Sequence, residues 1–65
     1  MQLLINGQPR EANVHTLAEL LVELQLEASR VAVELNRSIV ERERFANTRL
    51  SDQDRLEVIQ FVGGG

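Results

Sequence analysis

The sequence predicts an α+β domain in which a mixed four- to five-stranded sheet carries one helix packed across one face. Three observations predict it. An Asn6-Gly7 dipeptide ends a short apolar run, a leucine stripe of helical period follows a threonine cap, and the closing run from Arg55 to Val62 is rich in β-formers.

The chain has 65 residues, enough for one core only, because a domain of this size buries about 60% of the surface its unfolded chain exposes. Residues 1–62 are read as that domain and residues 63–65 as a flexible glycine tail. With 43% apolar and 26% charged residues the composition is that of a folding globular chain, not a disordered one.

Leu3, Leu4 and Ile5 predict the first strand, and Asn6-Gly7 supplies the positive φ angles of a type I′ hairpin turn. The returning strand is placed between Pro9 and Val14, at a sheet edge, because proline cannot donate to a ladder. Thr16-Leu17-Ala18-Glu19 matches a capping box, so a helix begins at Leu17. Leu17, Leu20, Leu21 and Leu24 form its core stripe, while Glu19, Glu23 and Glu27 recur on a solvated face.

After a link at Ala28-Ser29-Arg30, alternation of Val31, Val33 and Leu35 with Ala32 and Glu34 gives a half-buried strand. Asn36-Arg37 is a turn, and Ser38-Ile39-Val40 a short strand. The charged stretch from Glu41 to Arg49 has no clean period and is read mostly as loop. Asp52-Gln53-Asp54 makes the turn into the last strand, Arg55 to Val62. That strand has Leu56, Val58 and Val62 on one side and Ile59 and Phe61 on the other, which predicts a central position with both faces covered.

The residue inventory excludes much chemistry. There is no cysteine, hence no disulfide, thiolate metal site or thiol carrier, and no lysine, hence no Schiff base or lysine-linked polymer. The one histidine, His15, lies beside the helix cap, and the carboxylates are explained by a helix face and turns. No metal site, resident cofactor or catalytic residue is expected. The net charge of -3 argues against nucleic acid and favours a basic protein surface as partner. Arg37, Arg42, Arg44 and Arg49 read as solubilising, with docking to an acidic partner as the alternative. Met1 to Ile5 is too short for a signal-peptide core or a membrane span, so a cytoplasmic protein is expected.

The tail Gly63-Gly64-Gly65 is what folding does not explain. Glycines after a strand pack nothing and cost the most backbone entropy to order. Lacking Cβ atoms, three of them extend about 10 Å through a narrow channel and deliver a carboxylate elsewhere. A carboxylate is a poor electrophile, so a separate enzyme must activate it, for instance with ATP. Phe61 and Val62 immediately before the tail are the candidate apolar anchor for that partner.

The chain resembles the ThiS family, the sulfur carriers of thiamine biosynthesis, which share the β-grasp fold of ubiquitin. The resemblance spans essentially the whole chain. It rests on the start through Ile5-Asn6-Gly7, on Thr16-Leu17, on Val31-Ala32-Val33-Glu34-Leu35-Asn36 and on Ile39-Val40. It closes on Asp54-Arg55-Leu56-Glu57-Val58-Ile59 with Val62-Gly63-Gly64-Gly65. Two turns depart from the family pattern, with Glu41 where a proline and Gln53 where a glycine is expected.

The resemblance implies that a ThiF-type enzyme using ATP adenylates the Gly65 carboxylate, and that sulfur from a cysteine desulfurase system converts it to a thiocarboxylate. It implies too that Gly63 and Gly64 thread partner active sites, and that a ThiG-type thiazole synthase takes the sulfur for the thiazole ring. Three alternatives stay open: a sulfur carrier of the molybdopterin synthase small-subunit type, a ubiquitin-like modifier, and a plain binding module with an incidental tail.

Overall fold

The computed structural model describes residues 1–62. Strands β1 (Gln2–Ile5) and β2 (Gln8–Glu11) form one hairpin, helix α1 (Leu17–Glu23) crosses over, β3 (Val31–Leu35) and β4 (Ser38–Val40) form a second hairpin, and β5 (Arg55–Gln60) closes the chain. The sheet order is β2-β1-β5-β3-β4. The last strand therefore lies in the middle, parallel to β1 and antiparallel to β3. This is the mixed sheet with one helix that the pattern predicts, with five strands.

Local chemistry explains the turns. Asn6 and Gly7 have φ of 52° and 79°, and Asn36 and Arg37 have 50° and 74°; two consecutive positive φ angles give the I′ turn that matches strand twist. β2 is exposed along its length at the sheet edge, as Pro9 requires. It stops at Glu11, short of the predicted Val14, although Ala12 and Val14 are buried in the core just beyond it.

The capping box at α1 forms as predicted. The Glu19 amide donates to the Thr16 hydroxyl at 3.2 Å, while the Glu19 carboxylate accepts from the Thr16 and His15 amides at 2.9 and 2.6 Å. Leu17, Leu20 and Leu21 are buried and, with Leu3, Val33 and Leu56, make the centre of the core.

The helix ends earlier than the carboxylate repeat predicts. Gln25 turns left-handed at φ 61°, the Gln25 amide donates to Val22 and the Leu26 amide to Leu21. These two bonds are a Schellman motif, which stops a helix and returns the chain to the core. Glu27 consequently lies outside the helix in extended backbone, and the solvated helix face carries only Glu19 and Glu23.

The stretch read as loop from Glu41 to Arg49 holds a 3-10 helix, Arg42–Asn47. Its charged residues hid one anchor: Phe45 is 4% exposed and belongs to the core. The segment is also stitched to the helix entry, since Leu17 donates to the Thr48 carbonyl and Leu50 to that of His15. Both departures from the family pattern become intelligible. Gln53 has φ 73°, where glycine costs nothing, and Glu41 has φ -66°, the angle that proline fixes.

β5 is central, but not for the predicted reason. Leu56 and Val58 face the helix and are buried, whereas Ile59 and Phe61 on the other face are 57% and 56% exposed. The outer face of the sheet has no covering layer among the described residues. The strand ends at Gln60, so Val62 continues no buried row.

Candidate functional site at the end of the central strand

Two asparagines hold β5 at its two flanks. The parallel ladder with β1 runs from the Leu4 amide to the Asp54 carbonyl at 3.0 Å and from the Asn6 amide to the Leu56 carbonyl at 2.9 Å. At Gly7 the chain turns away, and the Asn6 side chain supplies the next rung. Its amide nitrogen donates to the Val58 carbonyl at 3.1 Å and its oxygen accepts from the Val58 amide at 2.7 Å. On the other flank the Asn36 oxygen accepts from the Arg55 amide at 3.0 Å, and its nitrogen donates to Asp54 at 3.0 Å. Sequence reading saw both residues only as turn formers; their placement beside strands that pair far along the chain was the missing signal.

Beyond this clamp, β5 reaches the surface. Gln60 pairs with Val31, and the Phe61 amide makes a last backbone bond to the Arg30 carbonyl at 2.8 Å. Val62 is 90% exposed, and there the chain leaves the sheet. The predicted tail residues Gly63, Gly64 and Gly65 lie outside the described residues.

Of the predicted anchor residues, Phe61 borders a depression of about 380 Å³ beside Ala32, Ile39 and the 3-10 helix, while Val62 stands clear of it. Ile39, 76% exposed, and Ile59 extend the same apolar surface across the sheet, a continuation that sequence reading missed by treating Ile59 as covered. The four arginines singled out from sequence are not a cluster. Arg42 borders the depression near Phe61, whereas Arg37 borders a separate cleft with Arg55 and Glu57.

The remaining polar groups serve the fold. His15 is exposed and 3.7 Å from the Glu19 carboxylate, and among the described residues no group of His, Asp and Glu could hold a metal ion. Hydrogen bonds from the His15 and then the Thr16 backbone amides lower the Glu19 pKa. The Gln2 amide, 2.6 Å from the Asp52 carboxylate, does the same for Asp52. No helix among the described residues is long and apolar enough to cross a membrane.

The architecture is thus a central strand delivered to the surface with an apolar shoulder beside its end, which suits presentation of a tail better than chemistry in place. Comparison with known proteins agrees. Residues 3–65 match the family model described as the ThiS family. A crystal structure of the thiamine biosynthesis protein ThiS from Geobacter metallireducens superposes with a TM-score of 0.84 at 39% identity, covering 100% of both chains. The sulfur carrier protein ThiS of Bacillus subtilis is 44% identical over 50 residues, covering 77% of this chain and 76% of that one. A thiazole synthase of Paramagnetospirillum magneticum is 41% identical over this whole chain, which spans 20% of that relative's length.

Proposed function

The chain belongs to the ThiS family, and from that premise we propose that it is a sulfur carrier protein of thiamine biosynthesis that carries its cargo on the C-terminal carboxylate of Gly65. It is a carrier and not a catalyst. The observation that supports this reading is the delivery of the central strand to the surface at Val62, directly ahead of three glycines, in a fold superposable on a ThiS protein.

Loading takes place on enzymes other than this chain. A ThiF-type enzyme lets the Gly65 carboxylate attack the α-phosphate of ATP, forming an acyl adenylate and releasing pyrophosphate. The terminal sulfur of a persulfide supplied by a cysteine desulfurase system then displaces AMP to give an acyl disulfide, and a thiol of the loading machinery cleaves its S–S bond, forming a disulfide with the donor cysteine and leaving a thiocarboxylate. Gly63 and Gly64 give the carboxylate about 10 Å of reach with Gly65, through a channel too narrow for side chains. Phe61 and Val62 dock at the mouth of that channel. The thiocarboxylate sulfur goes to a thiazole synthase for the thiazole ring, and the carrier returns as a carboxylate. An ATP-dependent loading step is compatible with the cytoplasmic location expected from the sequence.

Intact-mass measurement of the protein after incubation with ATP, a ThiF-type enzyme and a sulfur donor tests the proposal. An oxygen-to-sulfur exchange located at Gly65 by fragmentation is the expected result. A branched peptide at Gly65 would make the protein a modifier, and an unmodified terminus would sink the carrier reading.

A further inference from the structure

The uncovered sheet face holds a charge arrangement that the fold alone does not favour. The β3–β5 register sets Glu34 directly opposite Glu57 and Ala32 opposite Ile59, and the β3–β4 register sets Ile39 opposite Glu34. Like charges directly opposed on neighbouring strands destabilise a sheet. The ion pairs among the described residues are Met1 with Glu11, Arg10 with Glu23, His15 with Glu19 and Arg30 with Glu27. Arg37 and Arg55 border the same cleft as the two glutamates, yet neither forms an ion pair with them.

Beside the opposed acids lies a groove of about 170 Å³ lined by Ala32, Val33, Ile39 and Ile59 together with the two glutamates. It admits one aliphatic side chain. The face therefore offers, side by side, an apolar slot and two opposed carboxylates that form no ion pair among the described residues, continuous through Phe61 with the strand end that presents the tail.

We propose that this face docks the thiazole synthase, through an arginine or lysine of the synthase set between Glu34 and Glu57 and an aliphatic neighbour in the groove. The proposal rests on the carrier reading above. Charge complementarity selects the cation, since a guanidinium or ammonium between two carboxylates removes the repulsion that the free protein carries. The choice of synthase follows from the relative that is itself a thiazole synthase and matches this chain from end to end within a chain five times as long. Docking relieves an existing cost, so the same two residues that weaken the free fold strengthen the complex.

That coupling gives a signature distinct from ordinary structural damage. The double variant Glu34→Gln, Glu57→Gln is compared with the parent for binding to the thiazole synthase of the same organism by calorimetry at low and high salt. The parent should weaken on raising salt, and the double variant should bind about tenfold or more weakly at low salt, with a flatter salt dependence. The double variant should melt higher than the parent, and Glu23→Gln on the helix should leave affinity within about twofold. Equal affinity and equal salt dependence of the double variant and the parent would overturn the docking proposal, as would a parent that does not bind the synthase. Thiocarboxylate formation at Gly65, read by mass in the same preparations, reports separately on the carrier reading.

Discussion

Replacing Asn6 by glycine removes the side-chain rung that ties β1 to Val58 while keeping the left-handed backbone of the turn. Two hydrogen bonds are lost, at 2.7 and 3.1 Å, in a partly buried setting. A typical net contribution is about 1 kcal/mol per bond, and an orphaned buried donor costs more, so the expected loss is about 2 to 3 kcal/mol. A chain of 65 residues has a total stability of about 3 to 10 kcal/mol at the usual value per residue. The change therefore removes a large fraction of it, a fall in Tm of roughly 10 to 20 °C for a domain of this size. Urea unfolding measures the loss, and hydrogen exchange locates it: the Val58 amide should lose protection more than the Leu56 amide, which pairs elsewhere. Asn6→Ala should cost more than Asn6→Gly, because alanine at φ 52° adds backbone strain. A glycine variant within about 0.5 kcal/mol of the parent, with Val58 protection unchanged, would refute the idea that this side chain serves as a rung.

Other outcomes follow from the same geometry. Gln25→Gly and Gln53→Gly, at φ 61° and 73°, should each stabilise by about 0.5 to 1 kcal/mol in urea titrations, since glycine adopts these angles without strain. Glu41→Pro, at φ -66° after a strand residue, should gain a similar amount, roughly 0.4 to 1 kcal/mol, by restricting the unfolded chain. Glu19 and Asp52 have lowered folded-state pKa values. Their stabilisation is thus present above the ordinary values of 4.5 and 3.8 and is lost as pH falls through the folded values. Tm should drop on acidification from pH 6 toward about pH 3, and Glu19→Gln with Asp52→Asn should flatten that drop. Gly64→Ala should slow adenylation while leaving the melting curve in place, because a Cβ would obstruct the narrow channel proposed for the tail; equal losses in both assays would contradict that.

Much of this architecture was legible in residue order because its signals are local. Asn6-Gly7, the Thr16–Glu19 box and the alternation from Val31 to Leu35 each report on a few neighbouring residues, and each formed as read. What escaped depends on distant partners. Phe45 sits in a charged stretch without period and becomes an anchor only because α1 leaves it a place in the core. Glu27 continues the four-residue repeat of the carboxylates, but the left-handed turn at Gln25 overrides that periodicity. Ile59 and Phe61 show the limit most clearly: apolar side chains on both faces of a run point to a central strand, yet the same pattern arises when one face is left open. The likeness in Val62-Gly63-Gly64-Gly65 was readable as a motif, whereas the acid pair opposite the apolar groove required the register between β3 and β5.

The parallel pairing of β1 with β5 also has a mechanical consequence. The chain enters at the start of β1 and leaves at the end of β5, so the two ends emerge at opposite ends of two neighbouring parallel strands in the middle of the sheet. A pull on the tail is directed along β5, across hydrogen bonds that run transverse to the strand on both sides, slanted toward the parallel β1 and perpendicular toward the antiparallel β3. Such a load must shear the rungs together instead of opening them one at a time like a zipper. An enzyme that grips and stretches the glycines can therefore do work on the tail without unravelling the domain behind it, and force spectroscopy between the termini should record one high rupture event, not a staircase of small ones.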